Sequence, residues 1–165
     1  MHLHEVYNAM GASSTVNDKL NVLIYFESII LNSNVANRLI NSAFMSILLK
    51  LLKNVKSPHL KMRLCSILGQ LVRHSTVIGN EVAESGLLLL LCEVVKDKNE
   101  KVRRKAVASL GELLFYAATQ LDDEAADAIW EIPEEAVETL TRCLSDREDE
   151  TVRFYACKTV ENITA

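Results

Sequence analysis

A stripe of apolar side chains runs through residues 100–119 at the spacing of an α-helix. Its members are Val102, Ala106, Leu110, Leu113 and Leu114. Asn99, directly before the helix, belongs to the residue types that cap helix N-termini. The small residues Ala106 and Gly111 let a neighbouring helix approach closely. The pattern therefore predicts one long helix that packs on other helices through this stripe.

The same stripe recurs in two other stretches of the chain. An offset of 42 residues backwards gives Leu60, Leu64 and Leu68, and an offset of 50 residues forwards gives Val152, Ala156 and Val160. A shorter helix before each long one repeats with the same offsets, at Leu48, Leu90 and Leu140. Repetition at about 40–47 residues is typical of armadillo and HEAT repeats. The sequence therefore predicts an all-α fold, an armadillo/HEAT-repeat α-solenoid.

The repeats divide the chain into a partial N-terminal unit and about three full units, all in a single domain over residues 1–165. The expected bounds are 1–32 for the partial unit and about 34–73, 76–119 and 133–165 for the repeats. The longer last interval fits an insertion between Gln120 and Pro133. Because the end units lack the polar outer face of a terminal repeat, we expect a fragment of a longer protein, whose apolar ends allow self-association.

Local signals mark where several helices begin. Ser57 followed by Pro58 is a strong start, with a capping side chain and then proline at the first helical position. Asp18 is expected to cap a helix that runs through Leu31. A second short helix is expected over residues 76–84.

The cysteines lie far apart and form no CxxC pair. They are Cys65, Cys92, Cys143 and Cys157. At helical positions in apolar surroundings they are expected to be buried thiols in a reducing compartment. The run Leu87–Leu91 is expected to be buried on several sides, and Trp130 is expected to anchor a loop between helices. We expect a cytoplasmic protein without a membrane partner, since no apolar run approaches the roughly 20 residues that span a bilayer.

Charge is distributed unevenly along the chain. Residues 50–105 carry 12 Lys and Arg against 5 Asp and Glu, whereas residues 106–165 carry 4 against 14. One interpretation is solvated helix faces, with Arg103, Arg104 and Lys105 open to water. The alternative is a basic patch that binds an acidic protein partner. Its members would be Lys61, Arg63, Arg73, Lys101, Arg104 and Lys105.

Motifs for enzymatic chemistry are absent from the sequence. It contains no GxGxxG, GxxxxGK[ST], GxSxG or HExxH, and its four histidines are scattered. We therefore expect no catalytic residue, no metal site, no cofactor and no enzymatic activity in these 165 residues. The net charge of −4 argues against general nucleic-acid binding.

One column of the long helices suggests a binding surface. The residue two positions after the repeated Leu110 position is Gln70, Glu112 or Asn162. In armadillo proteins that carry nuclear import signals, this place resembles that of an asparagine that grips a peptide backbone. Where those proteins have tryptophans four residues earlier, this chain lacks them, so a nuclear-import adaptor is not expected. The candidate partner-binding residues are Arg63, Gln70, Arg73, Arg104, Lys105, Glu112 and Asn162.

Several stretches together resemble the helical-repeat region of the Fused-related pseudokinases of plants and animals. They are residues 67–76, 110–119, 130–133, 142–144 and 158–163. The resemblance implies a cytoplasmic scaffold linked to microtubules, cilia or cytokinesis. It also implies kinesins, other kinases or microtubule-associated proteins as partners. In that family a kinase-like domain, active or not, precedes the repeats, and none of its motifs is present here.

Two other functions remain open at this point. The basic stretch at residues 50–105 allows a HEAT-like nucleic-acid-binding enzyme of the DNA glycosylase type. The repeats also allow a purely structural spacer. The leading hypothesis is a non-catalytic scaffold segment that docks protein partners on its long helices.

Overall fold

The computed structural model describes residues 3–11, 13–121 and 130–165, and within these ranges the chain forms α-helices and no strand. The helices are α1 Leu3–Met10, α2 Val16–Ile29, α3 Ser33–Ile40, α4 Ala43–Asn54, α5 Pro58–His74, α6 Asn80–Glu84, α7 Leu87–Val94, α8 Glu100–Leu121, α9 Glu134–Cys143 and α10 Glu150–Thr164. The prediction of an all-helical protein is therefore confirmed for the described residues.

The long helices pack side by side in chain order. Helix α8 makes its most extensive contacts with α5 on one side and α10 on the other, and α5 also packs against α2. The medium helices form a second row, in which α7 packs against α8 and α9, and α4 packs against α5. This arrangement is compatible with an α-solenoid.

The repeated apolar stripe lies in the core between these helices. Val102, Ala106 and Leu110 are fully buried, and so is Leu64 at the equivalent place of α5. Burying such side chains removes apolar area from water and is the main force that holds the helices together. The stripe prediction is confirmed for α5 and α8, whereas Val160 on α10 is only half-buried.

Helix starts were predicted with mixed success. Helix α5 begins at Pro58, and the Ser57 hydroxyl accepts a hydrogen bond from the backbone N–H of Leu60, as predicted. The cap of α2 is Thr15 rather than Asp18, because the two form a capping box in which Asp18 bonds back to the Thr15 backbone. Helix α2 also ends before Leu31, which is exposed.

The second short helix begins at Asn80, later than the predicted residue 76. The side chains of Asn37 in α3 and of Asn41, which directly follows α3, bind the preceding backbone instead. Asn37 Oδ1 accepts from the backbone N–H of Thr76 at 2.9 Å, and Asn41 Oδ1 accepts from that of Gly79 at 2.7 Å. These hydrogen bonds satisfy backbone N–H groups that lie outside a helix. The shorter α6 therefore does not leave these two groups unpaired.

Glycines allow close contact between the long helices. A Cβ at Gly69 would lie 2.6 Å from Ser109 Oγ, and one at Gly111 would overlap the Thr159 hydroxyl. The Ser109 hydroxyl donates a 2.5 Å hydrogen bond to the Cys65 carbonyl across the same contact. The prediction that Gly111 permits close approach is confirmed. Gly69 permits the same close approach of two helices one repeat earlier.

Two expectations about burial need correction and one is confirmed. Cys65, Cys92 and Cys143 are buried, but Cys157 is exposed on α10. Leu89 is also exposed, because the five-leucine run wraps around α7 and this member lies on its outer side. The Trp130 ring is buried and packs edge-on against Tyr116 of α8, with ring centroids 5.2 Å apart. Most of the predicted insertion lies outside the described residues.

Among the described residues, no single helix is long and apolar enough to cross a bilayer. Helices α3 and α4 pass the length and composition test only as a pair, and they are bent by 68° at their junction.

Candidate functional site

A groove opens between α5 and α8, and α10 contributes one residue to its lining. Its volume is about 200 Å³. Helix α5 contributes Ser66, Gly69, Gln70 and Arg73, helix α8 contributes Lys105, Ala108, Ser109 and Glu112, and helix α10 contributes Tyr155.

The periodicity of α5 decides which side chains face the groove. Leu64, Leu68 and Leu71 are buried in the core and fix the rotation of the helix. Ser66 and Gln70 are four residues apart and therefore share the opposite, open face. The Gln70 amide donates a hydrogen bond of 3.2 Å to the Ser66 hydroxyl, which orients both polar groups along the groove.

A second cavity continues the first towards α2. It has a volume of about 350 Å³ and shares Ser66 and Lys105 with the first. Its other lining residues are Leu20, His59, Met62 and Arg63. The two cavities adjoin at Ser66 and Lys105, and together they are lined from α2, α5, α8 and α10. We call this pair of cavities the long-helix groove.

Lys105 is the cation at the junction of the two cavities. It is exposed, and it has no ion-pair partner among the described residues. Arg73 lies 3.8 Å from Glu112, with both side chains open to water. A loose surface pair of this kind contributes little and is easily exchanged for another partner. The centre of the groove is therefore open to an anionic group.

Other cations of the predicted basic patch are engaged inside the chain. Lys61 Nζ lies 2.5 Å from an Asp97 carboxylate oxygen. The Arg104 guanidinium donates two hydrogen bonds of 2.8 Å to Asp149. Arg63 forms an ion pair with Glu27 of α2 through one guanidinium nitrogen. Three of the six cations of the predicted patch are therefore held by acids of the chain, whereas Arg73, Lys101 and Lys105 are exposed.

The ionisation of these acids supports the same conclusion. The hydrogen bonds from Arg104 lower the pKa of Asp149 to about 2, from an ordinary value of 3.8. Burial works against ionisation of Asp97, but hydrogen bonds from Lys61 and the Asn99 backbone outweigh it and lower its pKa. The acids are therefore charged at neutral pH and hold their partners. Water reaches the Arg104 side chain, as expected, but its guanidinium is engaged by Asp149 and Glu100.

The structure brings five of the seven predicted site residues together in the long-helix groove. They are Arg63, Gln70, Arg73, Lys105 and Glu112. Arg104 lies in the ion pairs described above, and Asn162 is exposed on α10 away from the groove lining. The groove lining also contains His59, Met62 and Tyr155, which were not predicted from the sequence. Tyr155 follows Lys105 by the 50-residue offset, so the repeat itself carried a signal for it.

The described part of the chain holds no group of three or more His, Cys, Asp and Glu side chains that would bind a metal ion. Burial raises the pKa of the Cys65 thiol to about 12 and also raises the pKa values of Cys92 and Cys143. These thiols are therefore protonated at neutral pH and behave as small apolar side chains.

The fold and groove define an all-helical protein with an open groove of mixed polar and apolar lining along its longest helices. Comparison with known proteins identifies relatives of the chain. The chain is 35% identical over 165 aligned positions to the serine/threonine-protein kinase RUNKEL of Arabidopsis thaliana, which covers 93% of this chain. It is 26% identical over 162 positions to the serine/threonine-protein kinase ULK4 of Mus musculus, which covers 96% of this chain. No protein-family model matches.

The chain is therefore homologous to a segment of these Fused-related kinases, and the resemblance inferred from the sequence motifs is confirmed. It spans only 12% of the length of each of these two relatives.

Proposed function

We propose that the chain is a non-catalytic protein-interaction segment of a Fused-related serine/threonine kinase or pseudokinase, built from armadillo/HEAT-type repeats. Its long-helix groove binds an extended, acidic segment of a partner protein. The observation that carries the proposal is the pair of adjoining cavities that share Lys105, a lysine with no ion-pair partner in the described part of the chain.

The lining fits an extended peptide chain. The Ser66 hydroxyl and the Gln70 amide offer donors and acceptors for a peptide backbone on one wall. Met62 and Tyr155 offer apolar surface near the two ends. An extended chain with alternate side chains pointing to the two walls uses both kinds of contact.

The charges select an acidic partner over a basic one. A carboxylate near Lys105 replaces no existing ion pair, and one near Arg73 replaces only the loose contact with Glu112. Charged groups at an interface contribute mainly to specificity and association rate. A basic segment would have to approach Lys105 and Arg73 without compensation.

The relatives suggest the cellular setting. Both are serine/threonine-protein kinases by name. The Fused-related resemblance extends the proposal to a cytoplasmic protein associated with the cytoskeleton or the cilium, with a role in cytokinesis or at microtubules. Kinesins, other kinases and microtubule-associated proteins are the partners that we propose to test first.

A structural spacer is the second candidate function. The observation that favours it is the set of ion pairs between units, in which Lys61, Arg103 and Arg104 bind Asp97, Glu148 and Asp149. These cations serve stacking rather than partner binding. The same pairs weaken the DNA glycosylase alternative, because they remove positive charge that a duplex would require.

Affinity capture from cytoplasmic extract tests the proposal. The test variant is Arg73→Glu with Lys105→Glu, which spares the cations in internal ion pairs. The control variant, Arg38→Glu with Lys50→Glu, makes the same change in net charge at exposed positions of α3 and α4. We expect a protein that is captured by wild type and control and lost in the test variant. Equal capture by all three would remove the groove from the proposal, and no capture would favour the spacer.

A further inference from the structure

One face of the third unit is exposed although the same face is buried in the two preceding units. Val137 and Leu144 of α9 are 55% and 40% exposed. Their equivalents at the offsets of 50 and 92 residues are at most 8% exposed. These equivalents are Leu87 and Val94 in the second unit and Met45 and Leu52 in the first.

Helix α10 continues this face. Cys157 is exposed, whereas its equivalents Val107 on α8 and Cys65 on α5 are fully buried. The first and second units are each followed by another unit that packs on them, through α5 against α8 and α8 against α10. The difference in burial therefore coincides with the presence of a following unit.

Cations occupy one equivalent position on successive long helices, and we call this set the column. Two of its members form an ion pair with the turn before the next long helix. Lys61 of α5 binds Asp97, which lies in the turn before α8. Arg103 of α8 binds Glu148, which lies in the turn before α10, at 2.8 Å. Arg153 of α10 is the next member of the column, 50 residues after Arg103. Its Nε is buried and has no hydrogen-bond partner among the described residues.

We infer that the exposed face of α9 and α10 binds a further helical repeat, and that this repeat supplies an Asp or Glu from the turn before its long helix to Arg153. The face is the continuation of two interfaces already present in the chain, and the carboxylate completes the column of ion pairs. This inference is independent of the long-helix groove, because it uses a different surface.

A second copy of this chain, stacked head to tail, does not provide that carboxylate. The turn before its first long helix has the sequence Gly11–Thr15, which contains no acid. Asp18, the nearest acid within α2, is already bonded to Thr15 in the capping box. The binding unit must therefore have a sequence different from that of the N-terminal unit.

Lys19 shows what happens in the column when the following turn lacks an acid. It precedes Lys61 by the 42-residue offset, and the turn before α5 is Val55–Ser57, without a carboxylate. Lys19 Nζ instead donates to the Ser14 carbonyl at 2.7 Å and to its hydroxyl at 2.6 Å. Arg153 Nε has no such substitute in the described residues, and a buried donor without a partner costs free energy.

The full chain extended by one unit tests the inference. A second copy of residues 115–165 is appended after Thr164, which lengthens α10 to match α8 and preserves the 50-residue offset. The appended copy of Glu148 then stands to Arg153 as Glu148 stands to Arg103. The first readout is the rate at which a thiol reagent modifies Cys157 of the original unit, with the appended copy of Cys157 replaced by Ser.

We expect the extension to slow modification of Cys157 at least tenfold at a protein concentration that keeps the chain monomeric. Arg153→Met, or Glu148→Gln in the appended copy, should restore much of the original rate. Arg147→Met is the control, since Arg147 is an exposed cation outside the column, and it should leave the rate slow. An unchanged rate in the extended chain would overturn the inference.

A double-mutant cycle tests the ion pair itself. In the extended chain, Arg153→Met and the Glu148→Gln change in the appended copy should each lower the urea midpoint, and together they should lower it by less than the sum. Additive losses would overturn the assigned contact. Concentration-dependent protection of Cys157 in the original 165-residue chain would show that a second copy covers the face instead, and would also overturn the inference.

Discussion

Replacing Gly69 by alanine tests the close packing of the long helices. The added Cβ would lie 2.6 Å from Ser109 Oγ and 3.1 Å from the Ser109 Cα and Cβ atoms. The hydroxyl cannot simply rotate away without loss, because it donates to the Cys65 carbonyl at 2.5 Å. The substitution therefore requires α5 and α8 to separate or the hydrogen bond to break.

The expected cost follows from two opposing effects. Overpacking of a well-packed core costs about 1–3 kcal/mol. Alanine gains about 1 kcal/mol over glycine in helix propensity. The net effect of Gly69→Ala is therefore a loss of roughly 0–2 kcal/mol of unfolding free energy, with the backbone contact at 3.1 Å favouring the upper part of this range.

Urea denaturation followed by circular dichroism measures this loss, and a second background makes the test decisive. In the Ser109→Gly background the hydroxyl and Cβ are gone and only the 3.1 Å approach to the Cα of residue 109 remains. Gly69→Ala should therefore cost less there than in the wild-type background. A stabilising Gly69→Ala in the wild-type background, or equal losses in both backgrounds, would refute the reasoning.

Three further predictions follow from burial and charge. Leu110 is fully buried, so Leu110→Ala should cost about 2–5 kcal/mol in urea denaturation. Phe115→Ala at an exposed position of the same helix should cost much less, and a loss below about 1 kcal/mol at Leu110 would contradict the assigned helix face. The bond from Arg104 lowers the pKa of Asp149 from 3.8 to about 2, so its stabilising effect is present above pH 3.8 and is lost as the pH falls towards 2. Asp149→Asn, which keeps the helix cap, should flatten this acid limb of the stability profile. Among the thiols, Cys157 should react first with a thiol reagent in the native chain, and equal reaction of all four would contradict the described burial.

The sequence predicted the long helices well because their signals are local and repeated. Pro58 after a capping serine, and Asn99 before α8, each mark a helix start without reference to the rest of the fold. The buried stripe of α8 followed from a periodicity that recurs at two offsets. Repetition made these assignments secure, since each copy tests the others.

Contacts between units could not be predicted in the same way. Asn37 and Asn41 shorten α6 by holding a backbone segment that lies far away in sequence. The local sequence pattern around residue 76 therefore does not predict the later start of α6. The choice between Thr15 and Asp18 as the cap of α2 was likewise ambiguous, because both residue types cap helices and here they do so jointly.

The candidate site shows the same division. Gln70 and Glu112 were found from a column of the repeat, and they do face one groove. The count of charged residues, however, predicted a basic patch but did not predict the acids that pair with its cations. Asp97 and Asp149 lie in turns whose position relative to the long helices becomes clear only in three dimensions, and they neutralise cations that seemed available.

The exposed position of Cys157 has a related origin. Its helical pattern predicts burial, and its equivalents Cys65 and Val107 are in fact buried. The pattern therefore describes the position within the repeat correctly, while exposure depends on whether another unit lies against it.

Site-specific photocrosslinking at Gln70 tests the central claim most directly. A benzophenone amino acid at position 70 faces the long-helix groove, and the same amino acid at exposed Ser46 of α4 is the control. We predict that irradiation in cytoplasmic extract yields a protein adduct at position 70 but not at position 46, and that an acidic peptide competes with it. No adduct at position 70, or the same adducts at both positions, would contradict the proposed docking groove.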